Sequence, residues 1–239
     1  MIIDFNNQLG SIKGISFTAE ELLAKMDEAK IDKAVVFSFP EKINNDYICE
    51  VCEKYPKRLI GFVTVNPWDD QAEEQLEYYL GNKKLKGIKL HSFKHGFNFD
   101  NHTLLDPLFM VAEKYGVPIM AYGAANVLCV PNMFEEMAQS FPKVKLIMEH
   151  SGQMYETKPA IGVAARNSNV YLETSTVFTI NIEKQIKDVG YNRILMGTNM
   201  PYGEYDLEML KISSATSDEK ILEAIFGGNA LELIGGRQI

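Results

Sequence analysis

Two imidazoles and a set of neutral polar groups carry the chemistry that these 239 residues offer. His91 and His150 each end an apolar run, and imidazole is the side chain that takes and returns protons near neutral pH. Asn6, Gln8 and Asn199, with the phenols Tyr122 and Tyr202, can orient a small polar ligand by hydrogen bonds, and none of them ionises near pH 7. Lys89 lies two residues before His91, so on a strand the two share a side. A buried ammonium needs a partner; Asp4 is the candidate, and structural pairing is preferred to a catalytic amine. Cys49-x-x-Cys52 has the spacing of neighbours on one helix face. It lacks a second pair for zinc and reads as packing. Lys94-His95-Gly-Phe-Asn-Phe-Asp100 reads either as a lid whose cations meet a carboxylate substrate or as a solvated loop.

These residues need a frame that gathers strand ends. Met1 to Ile3 opens an apolar strand on which Asp4, Asn6 and Gln8 share one side by the two-residue period. Further strands are expected over residues 32–38, 58–65, 86–91, 117–122, 143–150, 170–173 and 193–197, with amphipathic helical stretches between them. Thr18-Ala-Glu-Glu21 has the form of a capping box. Asp69 or Asp70 is expected to cap the third helix, and Asn229 to cap the last one. Alternation along 143–150 would turn only one of Glu149 and His150 inward.

Strands and helices in strict alternation, short connections and no shift in composition predict an α/β fold: a single (β/α)8 TIM barrel over residues 1–239 with short extra C-terminal helices. An open doubly wound sheet is the runner-up. It usually carries a Gly-rich loop after its first strand, and Asn7-Gln-Leu-Gly10 is not one. In a barrel the C-terminal strand ends hold the chemistry. Here they read Asn6 and Gln8, Ser38, Asn66, His91, Tyr122, His150, Thr174 or Ser175, and Asn199, a ring that is polar and almost uncharged.

The bulk numbers narrow the partners. A net charge of -8 disfavours nucleic acid, whose binding relies on clustered Lys and Arg. No window approaches the roughly 18 apolar residues of a membrane span, and no secretory signal pattern is present. Three cysteines cannot all pair with one another, which fits a reducing compartment. A cytoplasmic protein with a small-molecule ligand, no nucleic acid and no membrane is expected, with a homo-oligomer left open.

Seven segments then fall in a telling order. They are Ile3-Asp-Phe-Asn-Asn-Gln-Leu-Gly10, Gly87-Ile-Lys-Leu-His91, Val117-Pro-Ile-Met-Ala-Tyr122 and Leu146-Ile-Met-Glu-His-Ser-Gly152. Val170-Tyr-Leu-Glu-Thr-Ser175, Arg193-Ile-Leu-Met-Gly-Thr-Asn-Met-Pro-Tyr202 and Phe226-Gly-Gly-Asn-Ala-Leu-Glu-Leu233 complete the set. Together, nearly end to end, they resemble the amidohydrolase-related TIM-barrel family of metal-dependent hydrolases and decarboxylases. The resemblance implies a divalent metal held by a His-x-His pair on strand one, a His ending strand five and an Asp ending strand eight, with a further His on strand six as ligand or catalyst. The matching positions are Asn6, Gln8, Tyr122, Asn199 and His150, so only the last is kept. No metal and no cofactor are expected.

That exchange limits the reaction. A metal that lowers the pKa of water from about 15.7 to about 7 supplies roughly 12 kcal/mol of nucleophile activation. A lone general base such as His150 supplies about 10^2 to 10^4-fold, roughly 3 to 5 kcal/mol. These magnitudes disfavour unassisted amide hydrolysis; opening an activated lactone or moving a proton beside a carbonyl is not excluded. The expectation is a hydrolase or lyase acting on a small polar, carboxylate-bearing molecule by metal-independent acid/base chemistry. His150 and His91 are its catalytic candidates. Asn6, Gln8, Tyr122, Asn199, Tyr202 and Lys89 line the substrate. The alternative is a catalytically inactive relative that binds a ligand or regulates; a third reading is an unfamiliar metal set of His91, His150 and Glu149.

Overall fold

The computed structural model describes residues 1–235. Its strands are β1 (Ile3–Ile12), β2 (Ile15–Phe17), β3 (Lys33–Ser38), β4 (Leu59–Gly61), β5 (Val63–Thr64), β6 (Ile88–Leu90), β7 (Ile119–Tyr122), β8 (Leu146–Glu149), β9 (Val170–Glu173) and β10 (Ile194–Leu195). Helices alternate with them, among them Ala19–Ala29, Asn45–Lys54, His102–Tyr115, Pro131–Ser140, Thr157–Arg166, Thr179–Asp188 and Tyr205–Ala215. β2 is the exception to the parallel pattern: it folds back on the end of β1 as an antiparallel hairpin.

Two ladders run β1-β3-β4 and β5-β6-β7-β8-β9-β10. They join at Phe62, the single residue between β4 and β5. Phe62 N–H donates to Val36 O, while Val63 N–H donates to Gly87 O on the other neighbour. At the other edge Phe5 N–H donates to Met196 O and Gln8 N–H to Met200 O, and Met200 N–H returns a bond to Asn6 O. These bonds close the ring as a (β/α)8 TIM barrel, the shape in which parallel strands leave no open edge.

Burial on both faces explains the unbroken apolar runs of the strands. Ile3, Phe5, Val35, Phe37, Ile60, Phe62, Met120, Ile147 and Leu195 fill the barrel interior. Alternate residues such as Val36, Ile88, Leu90, Leu146 and Met148 face out and pack against the helices. Among the described residues no helix is long and apolar enough to cross a membrane.

Local signals set the ends of the elements. Thr18 Oγ1 accepts from Glu21 N–H at 3.2 Å and Glu21 Oε2 accepts from Thr18 N–H at 2.7 Å, the reciprocal capping box that the sequence predicts. The third helix differs: it begins at Ala72 with Gln71 in the cap position. Asp69 accepts from Gln71 N–H and from the Gln75 amide across the turn, holding it from two residues before the cap position. Asn229 is also not a cap. It sits inside Asn229–Leu233, and its amide donates to the carbonyls of Tyr191 (2.6 Å) and Ile194 (2.8 Å), tying the C-terminal helices to the foot of β10.

Candidate functional site

Strict alternation fails on β1, and the failure builds the site. Ile3 and Asp4 lie opposite Lys33 and Ala34, yet the next pair is Asn7 opposite Val36. One extra residue on β1 is a β-bulge, which re-aims every side chain beyond it. Ile3 and Phe5 face the interior, and Asn6 then faces it too. Asp4 does not share a side with Asn6 and Gln8: it accepts from the Thr198 hydroxyl and from the N–H groups of Thr198 (2.9 Å) and Asn6 (3.1 Å). The expected Asp4–Lys89 pair is therefore absent, and Lys89 Nζ donates to Glu149 Oε2.

β8 breaks the same rule at its other end. Glu149 points inward in phase with Ile147, and His150 leaves the extended conformation with φ +61°, followed by Ser151 at φ +46°. Left-handed backbone at non-glycine residues costs on the order of 1–3 kcal/mol each. Here it turns His150 into the cavity beside Glu149, so both face inward, contrary to the expectation from alternation. Glu173 Oε2, on the next strand, holds the turn by accepting from His150 N–H at 3.0 Å.

A buried network results. Asn6 Nδ2 donates to Glu149 Oε1 (3.0 Å), Glu173 Oε2 (3.2 Å) and Ser175 Oγ (3.2 Å). Glu173 also accepts from Ser175 N–H (2.6 Å) and from Ser175 Oγ–H (2.8 Å). His150 Nδ1 lies 2.8 Å from Ser175 Oγ and 3.3 Å from the Ser175 carbonyl. The Ser175 hydroxyl gives its proton to Glu173 and the carbonyl can only accept, which assigns the proton of a neutral ring to Nδ1 and leaves Nε2 toward the cavity. Nε2 is 3.7 Å from Glu149 Oε1, and Nδ1 is 3.9 Å from Glu173 Oε2. The ring of strand ends is thus not almost uncharged: Lys89, Glu149 and Glu173 are all fully buried in it.

Electrostatics sorts the titrating groups. Burial opposes the Glu149 charge, but Lys89, with His150 and His91, more than offsets it and holds the carboxyl at about 2. Burial pushes the Lys89 amine down, opposed by Glu149 and Glu173, and its ammonium also stands 4.7 Å over the Phe37 ring. Burial, helped by Lys89, pushes His91 down to about 3, so it is neutral at pH 7. Its Nδ1 accepts from Lys94 N–H at 3.4 Å, and its ring stacks on Tyr122 with centroids 4.2 Å apart. Burial raises the Tyr122 phenol to about 12.

Above this floor a cavity of about 380 Å³ is lined by Gln8, Glu41, His91, Phe93, Lys94, Tyr122, Glu149, His150, Gln153, Thr176, Asn199 and Tyr202. Gln8 Nε2 donates to Asn199 Oδ1 at 3.2 Å. Tyr202 is half-exposed at the rim, edge-on to Phe39. Asn6 and Lys89 lie beneath the cavity, holding its walls. Ser38 and Asn66 accept backbone bonds in their own turns and do not join the site. The 94–100 segment is not a free lid: Phe97 and Phe99 are in the core, Lys94 pairs with Glu41 at 2.5 Å, and the His95 ring bonds Pro40 O. Cys49 and Cys52 line a separate cavity of about 250 Å³ at the N-terminal ends of β4 and β6. Burial raises both thiols, the second to about 12, as suits packing rather than reactivity.

Sequence reasoning placed Glu149 only in an unfamiliar metal set and Ser175 only among the strand ends; it missed Glu173, and with it the link that Ser175 makes between Glu173 and His150. The available signal was a Glu closing two otherwise apolar strands, in phase with the inward residues Ile147 and Tyr171.

Gly197 leaves the room that this network needs. A Cβ there would lie 2.1 Å from Glu173 Oε1 and 3.0 Å from Asn6 Cβ. Gly197→Ala is expected to cost about 1–3 kcal/mol, the usual penalty of overpacking, read as a lowered urea midpoint. A midpoint equal to wild type would show that Glu173 is not packed as described.

Glu208, from the helix Tyr205–Ala215, supports the loop after β9 by accepting from Thr176 N–H at 3.4 Å and pairing with Lys211. Burial raises its carboxyl from 4.5 to about 7. A raised carboxyl adds stability below its unfolded value and loses it as pH rises through the folded one. Wild type is therefore expected to lose stability relative to Glu208→Gln by about 1.4 kcal/mol per pH unit across that interval. Parallel denaturation curves at each pH check this; a constant difference contradicts it.

Comparison with known proteins agrees with this architecture. The amidohydrolase family model matches residues 11–236, and no curated protein matches the chain. An uncharacterized TIM-barrel protein from Bordetella bronchiseptica superposes with a TM-score of 0.84 at 17% identity, covering 98% of each chain. The 5-carboxyvanillate decarboxylase of Sphingomonas paucimobilis gives 0.81 at 16%, again over 98% of each chain. A dihydroxybenzoic acid decarboxylase from Polaromonas, with bound manganese and 2-nitroresorcinol, gives 0.79 at 14%, over 100% of this chain and 98% of its own. At these identities the structural likeness is one of fold. Matched over nearly its whole length, the chain belongs to the amidohydrolase family.

Proposed function

We propose that the protein is an enzyme, a lyase or hydrolase that acts on a small planar carboxylate by acid/base chemistry without a metal. The observation that carries this reading is the buried path from Glu173 through Ser175 to His150, which leaves Nε2 of the imidazole facing the cavity. Such a base takes a proton from a substrate hydroxyl or a water. The ring that takes it lies within 4 Å of two carboxylates, Glu149 and Glu173. Handing a proton taken from a substrate hydroxyl to the ring carbon that bears the carboxylate would let that C–C bond break and CO2 leave, its electron pair returning to the ring. Where the proton comes from water, the hydroxide bonds to the acyl carbon of a lactone, the acyl–oxygen bond breaks and the released ring oxygen takes the proton. The stacked His91 and Tyr122 rings, with Phe93 beside them, suit a flat substrate. Among the described residues Lys94 is the one Lys or Arg on the cavity wall, and a substrate carboxylate would compete with Glu41 for it. That relatives of the same fold decarboxylate 5-carboxyvanillate and dihydroxybenzoic acid supports the substrate class.

The residues at the family's metal positions do not fit a divalent cation. Asn6 presents its N–H2 group, not its oxygen, to Glu149 and Glu173. Asn199 Oδ1 is taken by the Gln8 amide, Tyr122 remains a neutral phenol, and an ammonium occupies Glu149. Catalytic zinc-type sites need about three imidazole, thiolate or carboxylate ligands. Among the described residues no group of three or more His, Cys, Asp or Glu is placed to hold one.

The test is a screen of hydroxybenzoates and lactones in chelator, with wild type and His150→Ala. Turnover by wild type alone is expected. Equal turnover by both removes His150 from the mechanism, and binding without turnover throughout the panel makes the protein a ligand-binding barrel.

A further inference from the structure

The strongest unexplained feature is a lysine at the centre of an acidic floor. Glu149 and Glu173 are bridged by one amide nitrogen, at 3.0 and 3.2 Å, and His150 stands within 4 Å of both carboxylates. Two carboxylates and an imidazole are donor types that divalent cations take, although as arranged here they do not converge on one point. Against them stands a single buried positive charge, Lys89 Nζ, 1% exposed, bonded to Glu149 and seated over Phe37. Asn6 Oδ1 is buried and has no partner in this arrangement.

We propose that the Lys89 ammonium is a built-in cation that takes the electrostatic place of a divalent metal at the floor of the pocket, neutralising Glu149 and keeping divalent cations out. This rests on the reading that the pocket works without a metal, and it assigns that property to one residue. Two like charges cannot share the floor in a medium that screens them poorly. A buried carboxylate stripped of its ammonium is an uncompensated charge. A divalent cation would relieve it, with the Asn6 amide free to turn its unpartnered oxygen inward.

Manganese binding to the folded protein tests this directly, by loss of the free Mn2+ electron paramagnetic resonance signal. Wild type, Lys89→Met, Lys89→Gln and the double variant Lys89→Met with Glu149→Gln are compared. Both single variants are expected to bind Mn2+ at least about 100-fold more tightly than wild type, and the double variant is expected to return to the wild-type level. Lys89→Gln keeps a donor for Glu149 and carries the test if Lys89→Met does not fold. Stoichiometric Mn2+ binding by wild type, or no gain in any folded single variant, overturns the proposal. Turnover is not read, so this outcome is separable from the His150 test.

Discussion

Replacing Lys89 by methionine is expected to cost about 3–5 kcal/mol of folding stability, because removing one partner strands the other as a buried, unpaired charge. Glu149 would keep only its bond from Asn6, at a site where both partners are nearly inaccessible. Removing both charges is a different experiment. Lys89→Met with Glu149→Leu replaces the pair by apolar volume and is expected to recover most of the loss, since buried pairs often trade evenly for well-packed hydrophobic groups. The pair also sets an acid limit. Glu149 is held at about 2, below its ordinary 4.5. A depressed carboxyl adds stability above its unfolded value and loses it as pH falls through the folded one. Wild type should therefore weaken between those two values by a step that Lys89→Met lacks. Urea denaturation across pH reads both effects; a single variant as stable as wild type contradicts the buried pair.

The second large effect is expected in turnover. His150→Ala should lower kcat by about 10^2 to 10^4-fold, the usual contribution of a positioned general acid/base, with much less change in KM. The side chain contributes its Nε2 lone pair to the reacting atoms, whereas His91, Tyr122, Phe93 and Lys94 on the same cavity wall would supply the substrate contacts. Ser175→Ala should give a smaller loss. It leaves the imidazole in place, its Nδ1–H still able to reach the Ser175 carbonyl at 3.3 Å, and removes the link to Glu173 together with one of three acceptors of the Asn6 amide. Steady-state kinetics on the screened substrate measures both; a KM effect without a kcat effect would recast His150 as a binding residue.

The frame of this protein was readable in advance and the floor of its pocket was not, for identifiable reasons. Alternating apolar strands and amphipathic helices determine the barrel, and a capping box such as Thr18–Glu21 is a local bargain between adjacent groups. The site depends on two departures from periodicity. The bulge between Asp4 and Asn7 moves Asp4 away from the interior, and the left-handed turn at His150 and Ser151 brings His150 in beside Glu149. Neither leaves a mark in residue spacing, because each is held by long-range bonds, such as Thr198 N–H to Asp4 and His150 N–H to Glu173. Asn6, Gln8 and Asn199 were nameable as strand-end residues. That Asn6 would donate to two buried carboxylates required knowing that three strands place them together.

The tautomer of His150 reads the proton path most directly and needs no substrate. The chain has only four histidines, so each imidazole can be assigned by 15N–1H correlation spectroscopy with the help of His→Gln variants. In alkaline buffer, with the ring neutral, His150 is expected as the Nδ1–H form, its Nε2 an unprotonated nitrogen facing the cavity. Ser175→Ala should shift that preference toward a mixture. An Nε2–H form in the wild-type protein would contradict the path from Glu173 through Ser175, and with it the assignment of His150 as the base.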